Sequence, residues 1–202
     1  MDLDSFYHIC RAVASITNAT EVTAFGSASI LPYLHEKGID SMAEFTGSSA
    51  SATRKVDITV SDEALDTLVD GSIGELTMFD ETYGYYAHGA GIDVATFPAD
   101  WKARARNIPY EFMGGRVTIT VPHPHDTMIA KLAAGREKDF HFAAALLRLF
   151  PISRDDVCLL KEKAVEAHKD REEQIETGIR RFVVAHPELF ETDVSPARGP
   201  CL

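Results

Sequence analysis

A chain of 202 residues, 45% hydrophobic and 25% charged, has the make-up of a globular protein able to bury a core, and its length suits one domain or one domain with a helical appendage. A formal net charge of −11 argues against a broad electrostatic footprint for nucleic acid, while leaving room for a local basic pocket that takes one nucleotide. No apolar run reaches the ~18 residues that a bilayer span needs.

The opening MDLDSFYHIC is acidic where a secretory signal is basic, which reads as a cytoplasmic protein with no membrane association. The three cysteines, Cys10, Cys158 and Cys201, form no CxxC pair, which argues against a zinc knuckle and a disulfide framework.

Apolar residues at Leu3, Phe6, Tyr7, Cys10, Val13 and Ile16 fall near a 3.6-residue period and predict a helix over 3–18. EVTAFG, Glu21–Gly26, alternates and stops on glycine, as a strand feeding a turn does. SASILPYLHEKG then reads as a short helix with Ser27 near its N-cap and Gly38 as its stop. Residues 38–52, rich in Ser, Ala and Gly, read as a mobile loop. TRKVDITV is a strand carrying one acid, Asp57, and DEALDTLVDGS a helix. The aromatic stretch 74–91 is partly strand. GIDVATF alternates and predicts a further strand that carries Asp93 and is closed by Pro98.

Two β-rich runs around Gly114–Gly115 give the clearest hairpin signal in the chain. HDTMIAKLAAG and KDFHFAAALLRLF are two helices joined at GREK, and 153–189 adds one or two amphipathic helices with dense charge pairs. The order predicts an α+β protein: a core over 1–123, a helical region over 124–190 packed on it, and a flexible Pro/Gly-rich tail over 191–202.

An enzyme that transfers a nucleotidyl group must neutralise a triphosphate and align an attacking hydroxyl. Carboxylates holding divalent metal ions are a recurring means. Residues i and i+2 of a strand share a face, so acids at that spacing make a metal clamp. A Gly-Ser turn lets backbone N–H groups and a hydroxyl approach phosphate. This chain offers Gly26–Ser27, then Asp57, then Asp93, and later the basic residues Lys131, Arg136 and Lys138. Each also has an ordinary reading: a turn with a cap, a strand-edge acid, helix-end charges that complement the dipole. His123 and His125, which flank Pro124, lack a third ligand at suitable spacing and read as loop histidines.

The ordered set resembles the nucleotidyltransferase superfamily, with its Gly-Ser turn, acid-x-acid strand and third acid. DGSIGELTMFDETYGYYAHGAG and PHDTMIAKLAAGREKDFHFAAALLR are similar to a bacterial branch related to toxin–antitoxin and abortive-infection systems. The likeness runs over about residues 22–148. It implies a nucleotidyltransferase-like mixed sheet with flanking helices. It also implies transfer of a nucleoside monophosphate from an NTP to a protein, RNA or small-molecule hydroxyl. Asp57 and Asp93 would be catalytic and, with Thr59, would hold Mg2+ or Mn2+. Gly26, Ser27, Lys131, Arg136 and Lys138 would bind the nucleotide.

This sequence departs from the acid-x-acid pattern. If Asp57 fills the first slot, Thr59 stands in the second and keeps an oxygen ligand. If it fills the second, Lys55 stands in the first and sets a cation beside the cation site. The register with Thr59 is preferred, since it costs one charge and keeps an oxygen, and Lys55 is then the weaker occupant. Hard metal ions favour charged oxygens, so the clamp is weakened in either register. The alternative reading is a catalytically impaired protein of this fold, acting as an antitoxin or regulatory partner of a toxin or other protein. Its acidity and its charged C-terminal helices suit a basic partner.

Overall fold

The computed structural model describes residues 1–47, 53–60 and 62–190. The protein is α+β, with one mixed five-stranded sheet and flanking helices. Its strands are β1 (Glu21–Phe25), β2 (Lys55–Val60), β3 (Tyr86–Gly89), β4 (Arg106–Phe112) and β5 (Gly115–Val121), in the order β3-β2-β1-β5-β4. β1 runs antiparallel to β2 and parallel to β5, β2 runs parallel to β3, and β4 and β5 form an antiparallel hairpin. The described residues divide into two compact units, one of 1–94 with 104–123, the other of 95–103 with 124–190.

In the first unit, α1 (Leu3–Thr17) starts where the Asp2 carboxylate accepts a hydrogen bond from Ser5 N and ends at Asn18 in the left-handed region. Its apolar stripe, Phe6, Ile9, Cys10, Val13 and Ala14, is buried, and the helix packs on β1, β3 and β5. Burial pushes the Cys10 thiol well above the ordinary range. β1 feeds a 3-10 turn, Ser27–Ile30, which continues into α2 (Leu31–His35). The stretch read as a loop contains a helix, α3 (Met42–Thr46), because Ser41 Oγ caps Glu44 N; its remainder over 48–52 lies outside the described residues. α4 (Asp66–Ile73) and α5 (Met78–Tyr83) precede β3.

Arg54 ties the start of β2 to α5. Its guanidinium pairs with the buried Asp80 carboxylate and donates to Gly84 O at 2.8 Å. The hairpin turns at Met113–Gly114, one residue earlier than the glycine pair implied, with Gly114 at φ 114° and Gly115 already facing Phe112 in the ladder.

The second unit holds α7 (Pro124–Ala134), α8 (Glu137–Leu149), α9 (Arg154–Ala167) and α10 (Glu172–Ala185); a short helix, α6 (Trp101–Arg104), precedes them in the chain. The expected helix break at GREK falls at Gly135, at φ 69°. The 153–189 stretch is two α-helices, parted by a 3-10 turn at Lys169–Arg171. Residues 95–103 join this unit through α9: Ala99 N donates to Lys163 O at 3.0 Å, and Lys163 Nζ reaches Asp100 Oδ2 at 2.6 Å. Cys158 is disulfide-bonded, and Cys10 is free and buried. The expected flexible tail, 191–202, lies outside the described residues. No helix among the described residues is long and apolar enough to cross a membrane.

Gly178 of α10 sits directly on α7. A Cβ there would lie 2.0 Å from Leu132 O, a backbone atom that cannot swing aside. Gly178→Ala is therefore expected to lower unfolding free energy by about 1–3 kcal/mol, the usual range for overpacking, as read from the urea midpoint at constant slope.

Candidate functional site

On β2 the alternation is complete: Val56, Ile58 and Val60 are buried, while Lys55, Asp57 and Thr59 point to the other face, half-covered. Asp57 lies between two strands, with Phe25 of β1 as its partner on one side and His88 of β3 on the other. β1 ends at Phe25, so Gly26 is the next residue beyond that pairing and comes down on the Asp57 carboxylate. A Cβ at Gly26 would stand 2.3 Å from Asp57 Oδ2 and 3.3 Å from its Cγ. Gly26 also has φ +76°, which L side chains rarely adopt. Two independent constraints thus require glycine at one position. Ser29 Oγ donates to Gly26 O at 2.8 Å and pins the turn, and Ser27 opens the 3-10 segment that follows.

The other carboxylate oxygen carries the charge contacts. Lys55 Nζ lies 2.7 Å and His88 Nδ1 2.9 Å from Asp57 Oδ1, and Lys55 Nζ and His88 Nδ1 are 3.4 Å apart. The Asp57 side chain is 21% exposed, against 40% for Lys55 and 45% for His88. The acid is thus mostly enclosed while its two nitrogen partners face outward.

An ionised carboxylate only accepts, so the His88 Nδ1–H donates to Asp57 and the ring's tautomer is set by that bond. Thr59 shares this face, and its hydroxyl donates to Val60 O at 3.2 Å. The lysine read as the weaker occupant of an acid slot is therefore the one that meets Asp57.

Asp93 is not on a strand. GIDVATF alternates in composition, yet Ile92–Val94 forms one 3-10 turn beyond the end of β3. The residue that the strand beside β2 presents to Asp57 is His88, which sequence reading missed. Its only signal is a position on a four-residue strand whose parallel register with β2 is a tertiary fact.

The basic residues Lys131, Arg136 and Lys138 belong to the second unit. Arg136 Nε donates to Asp139 Oδ2 at 2.5 Å and Nη2 to Oδ1 at 3.2 Å, and Lys131 Nζ stands 3.6 Å from Oδ1. The Asp139 side chain is 2% exposed, so these two cations compensate a buried charge. Lys138 is exposed. His125 lies within α7, its Nε2 3.0 Å from Phe150 O, and the His123 ring meets Tyr33 edge-on.

Asp57, Thr59 and Asp93 were the expected ligands for Mg2+ or Mn2+. The fit is poor: Asp57 Oδ1 already meets an ammonium, Oδ2 is pressed against Gly26, and Asp93 stands outside the strand pair. Among the described residues no three His, Cys, Asp or Glu side chains are grouped to hold a metal ion. What the site has at hand is a carboxylate with its own cation, beside a glycine turn.

No family model matches the chain, and no curated protein or solved structure matches it.

Two substitutions probe this geometry. Gly26→Ala is expected to cost about 1–3 kcal/mol in urea unfolding, since it adds both strain and a clash. Arg136→Ala, which strips two charge-assisted hydrogen bonds from buried Asp139, is expected to cost about 1.5–3 kcal/mol. Lys138→Ala, by contrast, should stay within about 0.5 kcal/mol.

Proposed function

We propose that this chain is a nucleotide-binding protein of nucleotidyltransferase type whose acid strand has been converted from a metal clamp into an internal ion pair. On this reading it acts by binding, as an antitoxin or other regulatory partner. The single observation that carries this reading is the 2.7 Å contact of Lys55 Nζ with Asp57 Oδ1. A cation tethered to the strand two residues away neutralises the carboxylate that transfer chemistry would need for Mg2+.

The strand arrangement supports the type. A strand ending in Gly-Ser lies antiparallel to the strand bearing the acid, with a further strand parallel on the far side. A Gly-Ser turn beside an acid strand is the expected order, while the third acid, Asp93, lies off the strand and His88 stands opposite Asp57 instead. Acidic residues of α9 and α10, together with the net charge of −11, suit a basic protein partner.

A second reading keeps the enzyme, transferring a nucleoside monophosphate from an NTP to a protein, RNA or small-molecule hydroxyl. It is favoured by the close approach of Gly26 to Asp57, which sets the backbone of the Gly-Ser turn beside the acid. The two readings part on one assay. Purified protein is incubated with α-labelled NTPs, Mg2+ or Mn2+ and cell lysate, and nucleotide binding is measured in parallel by calorimetry. The binding reading expects NTP affinity without labelled product. Labelled product that disappears in Asp57→Asn would establish the enzyme instead.

A further inference from the structure

Resting on the reading of this site as nucleotide-binding, we infer that Lys55 is a built-in cation standing where a divalent ion would sit on Asp57. The site therefore receives the polyphosphate chain of its nucleotide without metal.

A nucleotide's phosphates are repelled by a bare carboxylate, because two like charges brought into contact at a half-buried site are poorly screened. A divalent ion ordinarily removes that repulsion by bridging the two. At Asp57 the Lys55 ammonium, 2.7 Å from Oδ1, cancels the carboxylate charge. An ammonium has three N–H donors and no acceptor. One is directed at Asp57, and the 40% exposure of the Lys55 side chain leaves the outer part of the group open to a ligand.

Lys55 is the more exposed member of the pair, so water already competes for its ammonium and a polyphosphate can engage it from outside. His88 completes the frame by holding Oδ1 from the β3 side at 2.9 Å, which fixes the carboxylate against rotation. The Gly26 turn, pinned by Ser29, lies against the other carboxylate oxygen, Oδ2, and brings backbone up to the acid. The charges in the second unit do not bear on this inference, since Arg136 and Lys131 serve Asp139.

The inference predicts effects of opposite sign from those of a metal clamp. Binding of sodium tripolyphosphate is measured by calorimetry, first in excess EDTA and then with saturating Mg2+. Wild type is expected to bind in EDTA, with Mg2+ changing the dissociation constant by less than about threefold. Lys55→Met should weaken EDTA binding by tenfold or more, whereas the same charge change at exposed Lys37 should not. Asp57→Asn should strengthen EDTA binding, because it removes the anion and leaves the cation.

Binding that appears only with Mg2+, or an Asp57→Asn protein that loses binding, would overturn the inference and restore the clamp. The wild-type comparison needs no variant, so it stands even if a substitution fails to fold. The four NTPs then test the reading beneath. If each binds no tighter than tripolyphosphate, the nucleotide reading fails while the metal-free anion site remains. If binding occurs only with Mg2+ and favours one NTP, the reading stands and the inference falls.

Discussion

The site depends on one steric fact. The Asp57 carboxylate occupies the space that a side chain at position 26 would need, and the backbone there is in a conformation that only glycine adopts without strain. Because Phe25 pairs with Asp57 across β1 and β2, the turn that follows β1 has nowhere else to go. The close approach fixes one carboxylate oxygen. It leaves the other to choose its partners from the two residues that share its face and flank it, Lys55 along the strand and His88 across it. The charge state of the site follows from that choice.

The protein uses the same chemical device twice, with different surroundings. Asp139 is held by Arg136 and Lys131 at 2% exposure, and Asp57 by Lys55 and His88 at 21%. Burial separates their roles. A carboxylate sealed from water must be fully paired, and stripping a partner leaves an uncompensated charge, so the Asp139 cluster is structural. At Asp57 the nitrogens are exposed and the pair is only weakly favoured over its solvated parts. Of the three basic residues read as a phosphate cradle in the sequence, Lys131 and Arg136 thus compensate Asp139, while Lys138 is exposed.

Local signals were legible wherever one segment carries its own instruction. The period of Leu3, Phe6, Cys10 and Val13 gives α1, the hairpin around Gly114 is written in its flanking β-rich runs, and Gly135 stops α7. Short elements were not legible, because a few residues do not make a period. Ser41 alone starts α3 inside a segment that reads as loop. Ile92–Val94 tightens into a 3-10 turn although its composition alternates like a strand. Alternation says which residues could share a face, and cannot say whether a neighbouring strand exists to accept the backbone hydrogen bonds.

By itself the sequence determined that Gly26–Ser27 would end a strand, that Asp57 would stand on one, and that Lys55 and Thr59 would share its face, because strand geometry has a period of two. It could not determine which of those two neighbours Asp57 would meet, nor that His88 would be the third. Both depend on strand register: β2 against β1 brings Gly26 onto Oδ2, and β3 parallel to β2 brings His88 to Oδ1. Register is set by burial of Val56, Ile58 and Ala87 in a common core. The acid was therefore readable in the chain, and its partners were decided by the sheet.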